Sequence, residues 1–334
     1  MKLLLKCVPW IMACIALLPL VCFAENKRQE AVALIERASE LSDIRTAKLP
    51  PFRLSATVTL FGEKQPTEGT YTELWVSGLR WRRETIVGDF RRVEVGEGSK
   101  RWTLNSPSDV PLHAGEPEQI VQVWRFDPDR WKPDKIRDRT LKGAIVRCLE
   151  TEPDARQAKA ALCFDKAGGF LAAEIVPDDL PERVVDHTCL YSDYQKFGDK
   201  VFPHLVRCYD DGKPTLELRV LELDVANNFG PDLFARPDGA LETENCQGFP
   251  KPPKAVYTPD PAPPRRETPK DPVVLLLKVG EDGKPREIKV ARSVDKAFDS
   301  AAMDAVRRWR FEPAMCEGKP IETQINVEIT FRVQ

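Results

Sequence analysis

The fold of the C-terminal part of the chain is decided by residues 271–334, DPVVLLLKVGEDGKPREIKVARSVDKAFDSAAMDAVRRWRFEPAMCEGKPIETQINVEITFRVQ. An apolar run, Val273 to Val279, is followed by a turn at Asp282-Gly283 and by a second short strand, Glu287 to Ala291. Asp-Gly between two strand-like runs is typical of a β-hairpin. This segment is therefore predicted to begin with an antiparallel pair of strands.

A helix and a last strand follow the hairpin. Apolar residues recur at helical spacing on one face: Phe298, Ala301, Ala302, Ala305, Val306 and Trp309. The last strand, Ile321 to Val333, alternates apolar and polar residues, as a strand with one buried face does. The order β-β-α-β predicts a small domain in which one helix covers three strands. Its predicted core is Phe298, Ala302, Ala305, Trp309 and Phe311.

This segment resembles the C-terminal domain of the TonB energy-transducer family. The resemblance rests on the VGEDGKPREIKV hairpin, the AVRRWRFEPA block at 305–314, the Gly318-Lys319-Pro320 turn and the INVEITF strand at 325–331. It covers about 62 of the 334 residues. One departure is the helix that usually precedes the first strand, which YTPDPAPPRRETPKDP replaces here. That stretch has too many prolines to be helical.

The resemblance implies a periplasmic module that binds outer-membrane proteins through its strands. The final strand is expected near a sheet edge, where unpaired backbone groups can template an incoming strand. The polar residues on its solvent side are the candidate partner-binding residues: Gln324, Asn326, Glu328, Thr330 and Arg332. The alternative is that the linker, a second copy of the domain or the N-terminal domain covers this edge.

The N-terminus is organised like a secretory signal peptide. Lys2 and Lys6 frame the start of an uncharged, mostly apolar run of 18 residues, Cys7 to Ala24, that ends in a plausible cleavage site. Residues 1–24 are therefore expected to direct export to the periplasm or cell envelope. An uncleaved N-terminal membrane anchor is the alternative, because a run of this length can just span a bilayer.

Charge and length restrict the class of protein. The chain carries 50 Lys and Arg against 52 Asp and Glu, a net charge of −2. This balance argues against nucleic acid and against an anionic membrane surface as partners. The residues that follow the signal peptide suit two domains.

Cysteine usage indicates disulfides. Six cysteines follow the signal peptide, and an even number in an exported protein favours pairing. The first two pairs are expected across the turns TEPDARQAKA and SDYQKFGDKV, and the third follows by elimination. The predicted pairs are Cys148–Cys163, Cys189–Cys208 and Cys246–Cys316. The sequence has no CxxC motif and no cysteine–histidine cluster, so no metal is predicted.

Residues 25–247 are predicted to form a β-rich domain behind one amphipathic helix at 26–41. Many of the candidate strands alternate apolar and polar residues, and clusters of Gly, Asp, Asn and Pro separate them. They are 52–61, 71–76, 81–87, 90–95, 101–104, 144–150, 161–164, 170–175, 201–208 and 215–225. The polar insert at about 106–140 is expected to supply a second short helix. The fold class is α+β: an antiparallel open β-barrel or curved sheet with a capping helix, then the small ββαβ domain.

This β-rich region resembles the LolA/LolB lipoprotein-carrier fold. The resemblance lies in GTYTELWVSGLRWRRE, residues 69–84, where a strand bearing Trp75 turns into one bearing Trp81. The fold implies a concave apolar face that could hold an acyl chain. Trp75, Trp81 and Trp102 would then line a lipid pocket, and core packing is the alternative.

A proline-rich linker is predicted between the two domains. Nine of the residues 248–272 are proline, a density that favours extended polyproline II and resists packing. The predicted organisation is a signal peptide at 1–24, a LolA-like domain at 25–247, a linker at 248–270 and a TonB-like domain at 271–334.

No catalytic residue is predicted. The three histidines, His113, His187 and His204, lie outside the motifs of metalloproteases and serine hydrolases. His187 is interpreted as a loop histidine beside a structural cysteine, Cys189. The paired carboxylates Asp178-Asp179 and Asp210-Asp211 are interpreted as turn residues. The basic pairs Arg91-Arg92, Arg265-Arg266 and Arg307-Arg308 are interpreted as solvated surface. A non-enzyme without cofactors is expected.

Three functions remain open from the sequence. The first is a periplasmic TonB-like adaptor that binds outer-membrane transporters or other envelope proteins by β-strand addition and is linked to transport across the outer membrane. The second is a periplasmic lipid or lipoprotein carrier, with lipid bound in the N-terminal domain. The third is an envelope scaffold that does not transduce energy.

Overall fold

A computed structural model of the protein describes most of the chain after residue 17. The described residues are 18–62, 65–107, 110–111, 113–121, 133–151, 160–179, 184–246, 251–265, 269, 271–316 and 318–331. Within these residues, no helix combines the length and apolarity needed to cross a membrane. The alternative of an N-terminal membrane anchor concerns residues 1–24, most of which lie outside the described residues.

A long helix, α1 (Leu18–Ser42), precedes the large sheet. It begins before residue 26, where the sequence pattern predicted its start. Ala31, Ile35 and Ala38 are buried, and their spacing of three to four residues places them on one face of the helix. This face packs into the same core as the strand side chains of the sheet.

In the described part of the chain, thirteen antiparallel strands form one sheet. The first five are β1 (Phe52–Leu60), β2 (Thr67–Ser77), β3 (Arg80–Val87), β4 (Phe90–Glu97) and β5 (Lys100–Ser106). After a short helix, α2 (Glu116–Ile120), come β6 (Pro133–Leu141), β7 (Ala144–Thr151), β8 (Ala161–Asp165), β9 (Leu171–Asp179), β10 (Val184–Phe197), β11 (Lys200–Asp210) and β12 (Lys213–Val225). A 3-10 helix, Pro231–Phe234, leads to β13 (Leu241–Glu244).

The sheet consists of two meanders, β1–β5 and β6–β12, which join where β1 pairs with β12. β13 and β6 are its two edges, so the sheet is open. Helix α1 contacts both β6 and β11, and the sheet therefore curves around the helix. The predicted α+β class with an open curved sheet is confirmed.

Three strands of this sheet, β6, β10 and β13, were not predicted. β6 reads PDKIRDRTL, whose many charges hide the strand pattern but suit a sheet edge, because charged side chains discourage edge-to-edge association. In β10, the stretch SDYQK at 192–196 is mostly polar and breaks the alternation of apolar and polar residues. Asp193 in this stretch has a φ of 54°. The predicted helix in the insert corresponds to α2.

The inner face of the sheet is filled by side chains. Phe52 and Leu54 of β1 are fully buried, and the Phe52 ring stacks on Trp75 with centroids 5.5 Å apart. Trp81 is also buried, and its Nε1 donates to Asn245 Oδ1 at 3.3 Å. Core packing, rather than the lining of an open pocket, therefore describes both tryptophans. Trp102 packs with a separate cluster that contains Leu74 and Phe234.

The C-terminal domain contains the predicted β-β-α-β unit. Its elements are β14 (Lys254–Tyr257), β15 (Val273–Val279), β16 (Pro285–Arg292), α3 (Lys296–Val306), β17 (Arg310–Glu312), β18 (Ala314–Cys316), β19 (Lys319–Ile321) and β20 (Thr323–Ile329). The main sheet has the order β16-β15-β20. Phe298, Ala302, Ala305 and Phe311 are buried, as predicted.

Two details of this domain differ from the prediction. The last strand, predicted from Ile321 to Val333, is divided, because Ile321 pairs with Ala314 and β20 begins only at Thr323. Trp309 lies beyond the end of α3 and is half-buried. Its ring still packs against the domain core, and its Nε1 donates to the Pro259 carbonyl at 3.3 Å.

The segment predicted as a semi-rigid spacer between the domains lies on the C-terminal domain. β14 pairs with β17, and Lys251 exchanges backbone hydrogen bonds of 2.8 and 3.1 Å with Met315. The prolines do not prevent this pairing, because they flank Lys254–Tyr257, which keeps its backbone N–H groups. Residues 251–265 therefore form a strap along the domain.

The hairpin glycine predicted at Asp282-Gly283 has a specific steric role. Gly283 has a φ of 71°, and a Cβ there would lie 1.9 Å from the Phe311 carbonyl oxygen. We expect Gly283→Ala to lower the free energy of unfolding by more than about 2 kcal/mol, because left-handed strain and a backbone clash add. Urea unfolding of the full chain measures this change.

Gly318→Ala is the matched control. Gly318 has a φ of 82°, but among the described residues no atom lies within 4 Å of the position that a methyl group would occupy. Only the backbone strain applies, so a loss of about 1 kcal/mol is expected. Equal losses in the two variants would contradict the steric role of Gly283.

Candidate functional site

β20 is one of the two edge strands of the C-terminal sheet, β16 being the other, and β13 of the large sheet lies beside it. Within the described residues, β20 pairs with β15 on one side only, with Leu276 opposite Asn326 and Val274 opposite Glu328. Its apolar residues, among them Val327 and Ile329, pack against the domain core. The other face carries the predicted partner-binding residues.

The predicted partner-binding residues differ in their surroundings. Gln324 is half-buried, whereas Asn326, Glu328 and Thr330 are exposed. Glu328 forms an ion pair of 3.4 Å with Arg292 of β16. Arg332 lies outside the described residues. The expectation of a wholly solvated face is therefore wrong at Gln324, because the large sheet lies beside it.

A polar cavity of about 380 Å³ separates this end of β20 from the large sheet. Residues 323–326 form one wall, and Arg92, Arg101, Asn105 and His113 contribute to the other. Several buried polar atoms at the cavity make no hydrogen bond within the described part of the chain: Arg92 Nε, Arg101 Nε, Asn105 Oδ1, Glu116 Oε2 and Gln324 Oε1. A lining of this kind suits water or polar ligand groups and not an acyl chain.

A disulfide connects the two domains beside the cavity. The structure contains Cys148–Cys163, Cys189–Cys208 and Cys246–Cys316, the pairs predicted from the sequence. Cys246 follows β13, and Cys316 ends β18. Together with the β14–β17 pairing, this bond brings the C-terminal domain next to the β13 edge of the large sheet.

The cavity wall on the large sheet belongs to a buried ion cluster. At its centre, Glu73 is fully buried and is held by Arg45 and Arg83. Arg45 Nε donates to Glu73 Oε1 at 2.9 Å, and Arg45 Nη1 donates to the Val121 carbonyl at 2.6 Å. Arg45 thereby connects the end of α1, the sheet and the segment after α2.

The cluster continues to the cavity through two more carboxylates. Arg83 Nη1 donates to Glu118 Oε1 at 2.8 Å. Glu94 accepts from Arg92 at 3.0 Å and from Arg101 at shorter range. The prediction that Arg92 is solvated surface is wrong. Glu94 lies opposite Arg83, which faces the core, and Arg92, two residues before Glu94, lies on the same inner face of β4.

The environment of the cluster shifts the pKa values of its members. Burial would raise the pKa of Glu73, but the Arg45 and Arg83 guanidinium groups outweigh this effect and hold it at about 2. Burial and the adjacent Glu94 carboxylate raise the pKa of Glu118. Four arginines thus face two ionised carboxylates and a third that retains its proton more readily. The cluster and its cavity wall are consequently cationic.

The catalytic alternative at His187 lacks a nucleophile. Cys189 is bonded to Cys208, so it offers no thiolate. The interpretation of Asp210 as a turn residue is wrong, because Asp210 is 7 % exposed and accepts from His187 Nδ1 at 2.7 Å. Asp211 does lie in the turn, with a φ of 46°. The side chains of Asp178 and Asp179 lie outside the described part of the structure.

Sequence reasoning missed the ion cluster. The strand pair β2–β3 was predicted, and its register places Glu73 opposite Arg83 and Trp75 opposite Trp81. Because Trp75 and Trp81 face the core, Glu73 and Arg83 must face it too. The alternation of the predicted strands therefore contained the signal for a buried pair.

One protein family matches the C-terminal part of the chain. Residues 261–333 match the family described as Gram-negative bacterial TonB protein C-terminal. This match includes β15, β16, α3 and β20, and it covers well under half of the chain. No curated protein sequence matches the chain.

Several solved structures are similar to the chain in fold. A putative outer membrane lipoprotein-sorting protein domain from Vibrio parahaemolyticus is 16% identical, covers 61% of this chain and 97% of its own, and has a TM-score of 0.42. A LolA superfamily protein from Nitrosomonas europaea is 12% identical over 62% of this chain and 97% of its own, with a TM-score of 0.42. The MucA/MucB complex of Pseudomonas aeruginosa shows 14% identity over 75% of each chain and a TM-score of 0.30.

Both families that the sequence resembles are thus found among the matches. The TonB-type match fits a role in the cell envelope.

The buried pairing of Glu73 predicts a large effect of its removal. We expect Glu73→Gln to lower the free energy of unfolding by about 3–5 kcal/mol, because Arg45 and Arg83 lose a buried counter-charge. Glu84→Gln is the matched control on the opposite face of the sheet, where Glu84 pairs with the partly exposed Arg82 and Arg91. A loss of about 1 kcal/mol or less is expected there.

The pH dependence of stability provides a second readout of the same variant. The folded pKa of about 2 lies below the usual 4.5, so stability from Glu73 is present above pH 4.5 and lost as the pH falls towards 2. Between pH 4.5 and 2, we expect the free energy of unfolding of the wild type to fall more steeply with decreasing pH than that of Glu73→Gln. The reason is that the unfolded wild type binds one proton more than the folded wild type in this pH range. Parallel curves would contradict an ionised Glu73.

Removal of the inter-domain disulfide is expected to loosen the cavity wall formed by residues 323–326. The two cysteines are 70 residues apart, so the bond contributes on the order of 4 kcal/mol in the chain-entropy account. We expect Cys246→Ser/Cys316→Ser to accelerate amide exchange at residues 323–326, because this wall of the cavity loses its covalent restraint. Hydrogen exchange with mass spectrometry measures it.

Cys148→Ser/Cys163→Ser is the control, because that bond lies within the large sheet between β7 and β8. Its removal should leave exchange at 323–326 unchanged. Identical exchange of wild type and Cys246→Ser/Cys316→Ser would contradict the restraint.

Proposed function

We propose that the protein is a non-enzymatic adaptor of the Gram-negative cell envelope that binds an outer-membrane transporter or another envelope protein by β-strand addition to β20. One observation carries the proposal. β20 is an edge strand of the sheet in a domain that matches the TonB C-terminal family. An edge strand offers backbone N–H and C=O groups to an incoming strand.

The exposure of the residues along β20 supports an approach of the partner strand from the end that carries Glu328 and Thr330. Residues 323–326 border the cavity and the large sheet, whereas Glu328 and Thr330 are exposed. An incoming strand would pair first beside Glu328 and then reach the polar cavity. Backbone pairing supplies affinity with little demand on sequence, and Asn326 and Glu328 would tune selectivity.

The packing of the large sheet supports an adaptor over a lipid carrier. A carrier needs a continuous apolar cavity, and ligand cavities of drug-sized molecules occupy about 300–1,000 Å³. In the described residues, α1 and side chains such as Phe52 fill the inner face. The cavity beside β20 is lined by arginines and polar residues. A second cavity of about 380 Å³ is lined by both charged and apolar residues, among them Arg53, Arg82 and Leu74.

The disulfides support an oxidising compartment. Three disulfides suit a secreted or periplasmic protein, because the reducing cytosol keeps thiols free. The signal-like residues 1–24 predicted from the sequence point to the same location. The proposed site of action is therefore the periplasm.

Site-specific photo-cross-linking in native envelopes tests the proposal. A photoreactive amino acid at Glu328 is expected to cross-link to an outer-membrane protein, because it borders the open end of β20. The same amino acid at Ile145, which is 56% exposed on the large sheet, is the control. Cross-links formed instead from Arg307, on the exposed side beyond α3, would move the binding surface away from β20.

Proline and alanine at Asn326 separate backbone pairing from side-chain contact. Asn326→Pro removes a backbone donor, whereas Asn326→Ala keeps it. A folded Asn326→Pro variant, verified by circular dichroism and melting temperature, should lose the cross-link from Glu328. Asn326→Ala should retain it. Retention of the cross-link in a folded Asn326→Pro variant would contradict strand addition.

A further inference from the structure

Two of the three histidines of the chain meet in one cluster although they are far apart in sequence. His113 precedes α2, and His187 lies in β10. Their rings are nearly parallel, 12° apart, with centroids separated by 5.8 Å. Two carboxylates complete the cluster, Glu116 of α2 and Asp210 of β11.

The two carboxylates lie on opposite sides of the imidazole pair. On one side, Asp210 contacts His187 Nδ1 at 2.7 Å and His113 Nε2 at 3.3 Å. On the other side, Glu116 contacts His113 Nδ1 at short range and lies 3.8 Å from His187 Nε2. Each ring thus has one nitrogen directed at Asp210 and the other directed at Glu116.

This arrangement has the pattern of a metal site. A histidine that binds a metal ion generally donates its second ring N–H to a carboxylate, which fixes the tautomer. Here Asp210 accepts a hydrogen bond from His187 Nδ1 and lies 3.3 Å from His113 Nε2. His113, Glu116 and His187 each bring one possible ligand atom within 4.8 Å of the others. Glu116 contacts His113 Nδ1 directly and lies 3.8 Å from His187 Nε2, so an ion bound there would replace a direct contact between ligands.

We propose that His113, His187 and Glu116 bind one divalent transition-metal ion, of which Zn²⁺ is the best fit, and that Asp210 orients both histidines. Two imidazoles and one carboxylate are a ligand set found in zinc proteins that keep a further coordination position. The neighbouring Cys189 sulfur, 3.3 Å from His187 Nε2, is bonded in a disulfide and does not supply a thiolate.

Charge and backbone geometry favour the same site. With neutral imidazoles, Zn²⁺ balances the Glu116 and Asp210 carboxylates. His113 has a φ of 64°, a conformation that is costly for a residue with a side chain and that is enriched at ligand sites. His113 and Glu116 also line the cavity beside β20.

Zinc titration of the full, oxidised chain tests the proposal. The protein is purified without a polyhistidine tag, treated with a chelator and titrated with Zn²⁺ by calorimetry. One Zn²⁺ per chain is expected. His187→Ala and Glu116→Gln should weaken binding at least about 10-fold, and Asp210→Asn, which removes only the orienting charge, by roughly 10–100-fold.

His204→Ala is the matched control, because His204 is the remaining histidine and is not in the cluster. It should bind zinc like the wild type. X-ray absorption of the zinc-loaded chain checks the ligands independently of variant folding, with imidazole nitrogen and carboxylate oxygen expected at about 2.0–2.2 Å.

Three results would overturn the proposal: no saturable zinc binding by the oxidised chain, unchanged binding by folded His187→Ala, or binding that requires reduction of Cys189–Cys208. The last result would assign the ion to thiolates. Absence of binding would leave the cluster as an ion-paired ring of imidazolium and carboxylate groups.

Discussion

The position of the C-terminal domain depends on its attachment through Cys246–Cys316. This bond joins the end of the large sheet to β18, and the β14–β17 pairing continues the attachment along the strap. A proline-rich segment without these contacts would act as a semi-rigid spacer and would not hold the domain against the large sheet. With them, β20 lies beside β13, and the cavity between the two edges has a defined lining. The candidate binding edge is therefore presented by the large domain and not by a flexible tether.

The large domain supplies a rigid and charged wall for this arrangement. Burying Glu73, Glu94 and Glu118 among four arginines costs desolvation free energy, and the paired geometry offsets it. The cluster also connects α1, β2 and the segment after α2 through Arg45. Its outer members, Arg92 and Arg101, reach the cavity. The same side chains thus stabilise the curved sheet and determine the electrostatic character of the surface beside β20.

Much of the architecture could be predicted from local patterns. The alternation in β1 and β12 and the apolar stripe of α3 reflect the side-chain period of a single strand or helix. The Asp-Gly turn before β16 is likewise a local signal. The strands that were not predicted have sequences without a clear strand pattern. Charged residues obscure the alternation in β6, the mostly polar stretch SDYQK at 192–196 breaks it in β10, and prolines flank β14. The histidine cluster was not predicted because its members come from α2, β10 and β11. One signal was present, since pairing Cys189 with Cys208 places His187 opposite Asp210.

The outer edge of β20 is the surface on which the proposed adaptor role depends. The structure of the complex trapped by cross-linking in the envelope, determined by electron cryo-microscopy, tests that surface without an intermediate assumption. We expect a partner segment in extended conformation, hydrogen-bonded to the backbone of β20 as a fourth strand of the sheet β16-β15-β20. A partner bound on the exposed Arg307-Arg308 side, with no strand added at the outer edge of β20, would contradict strand addition.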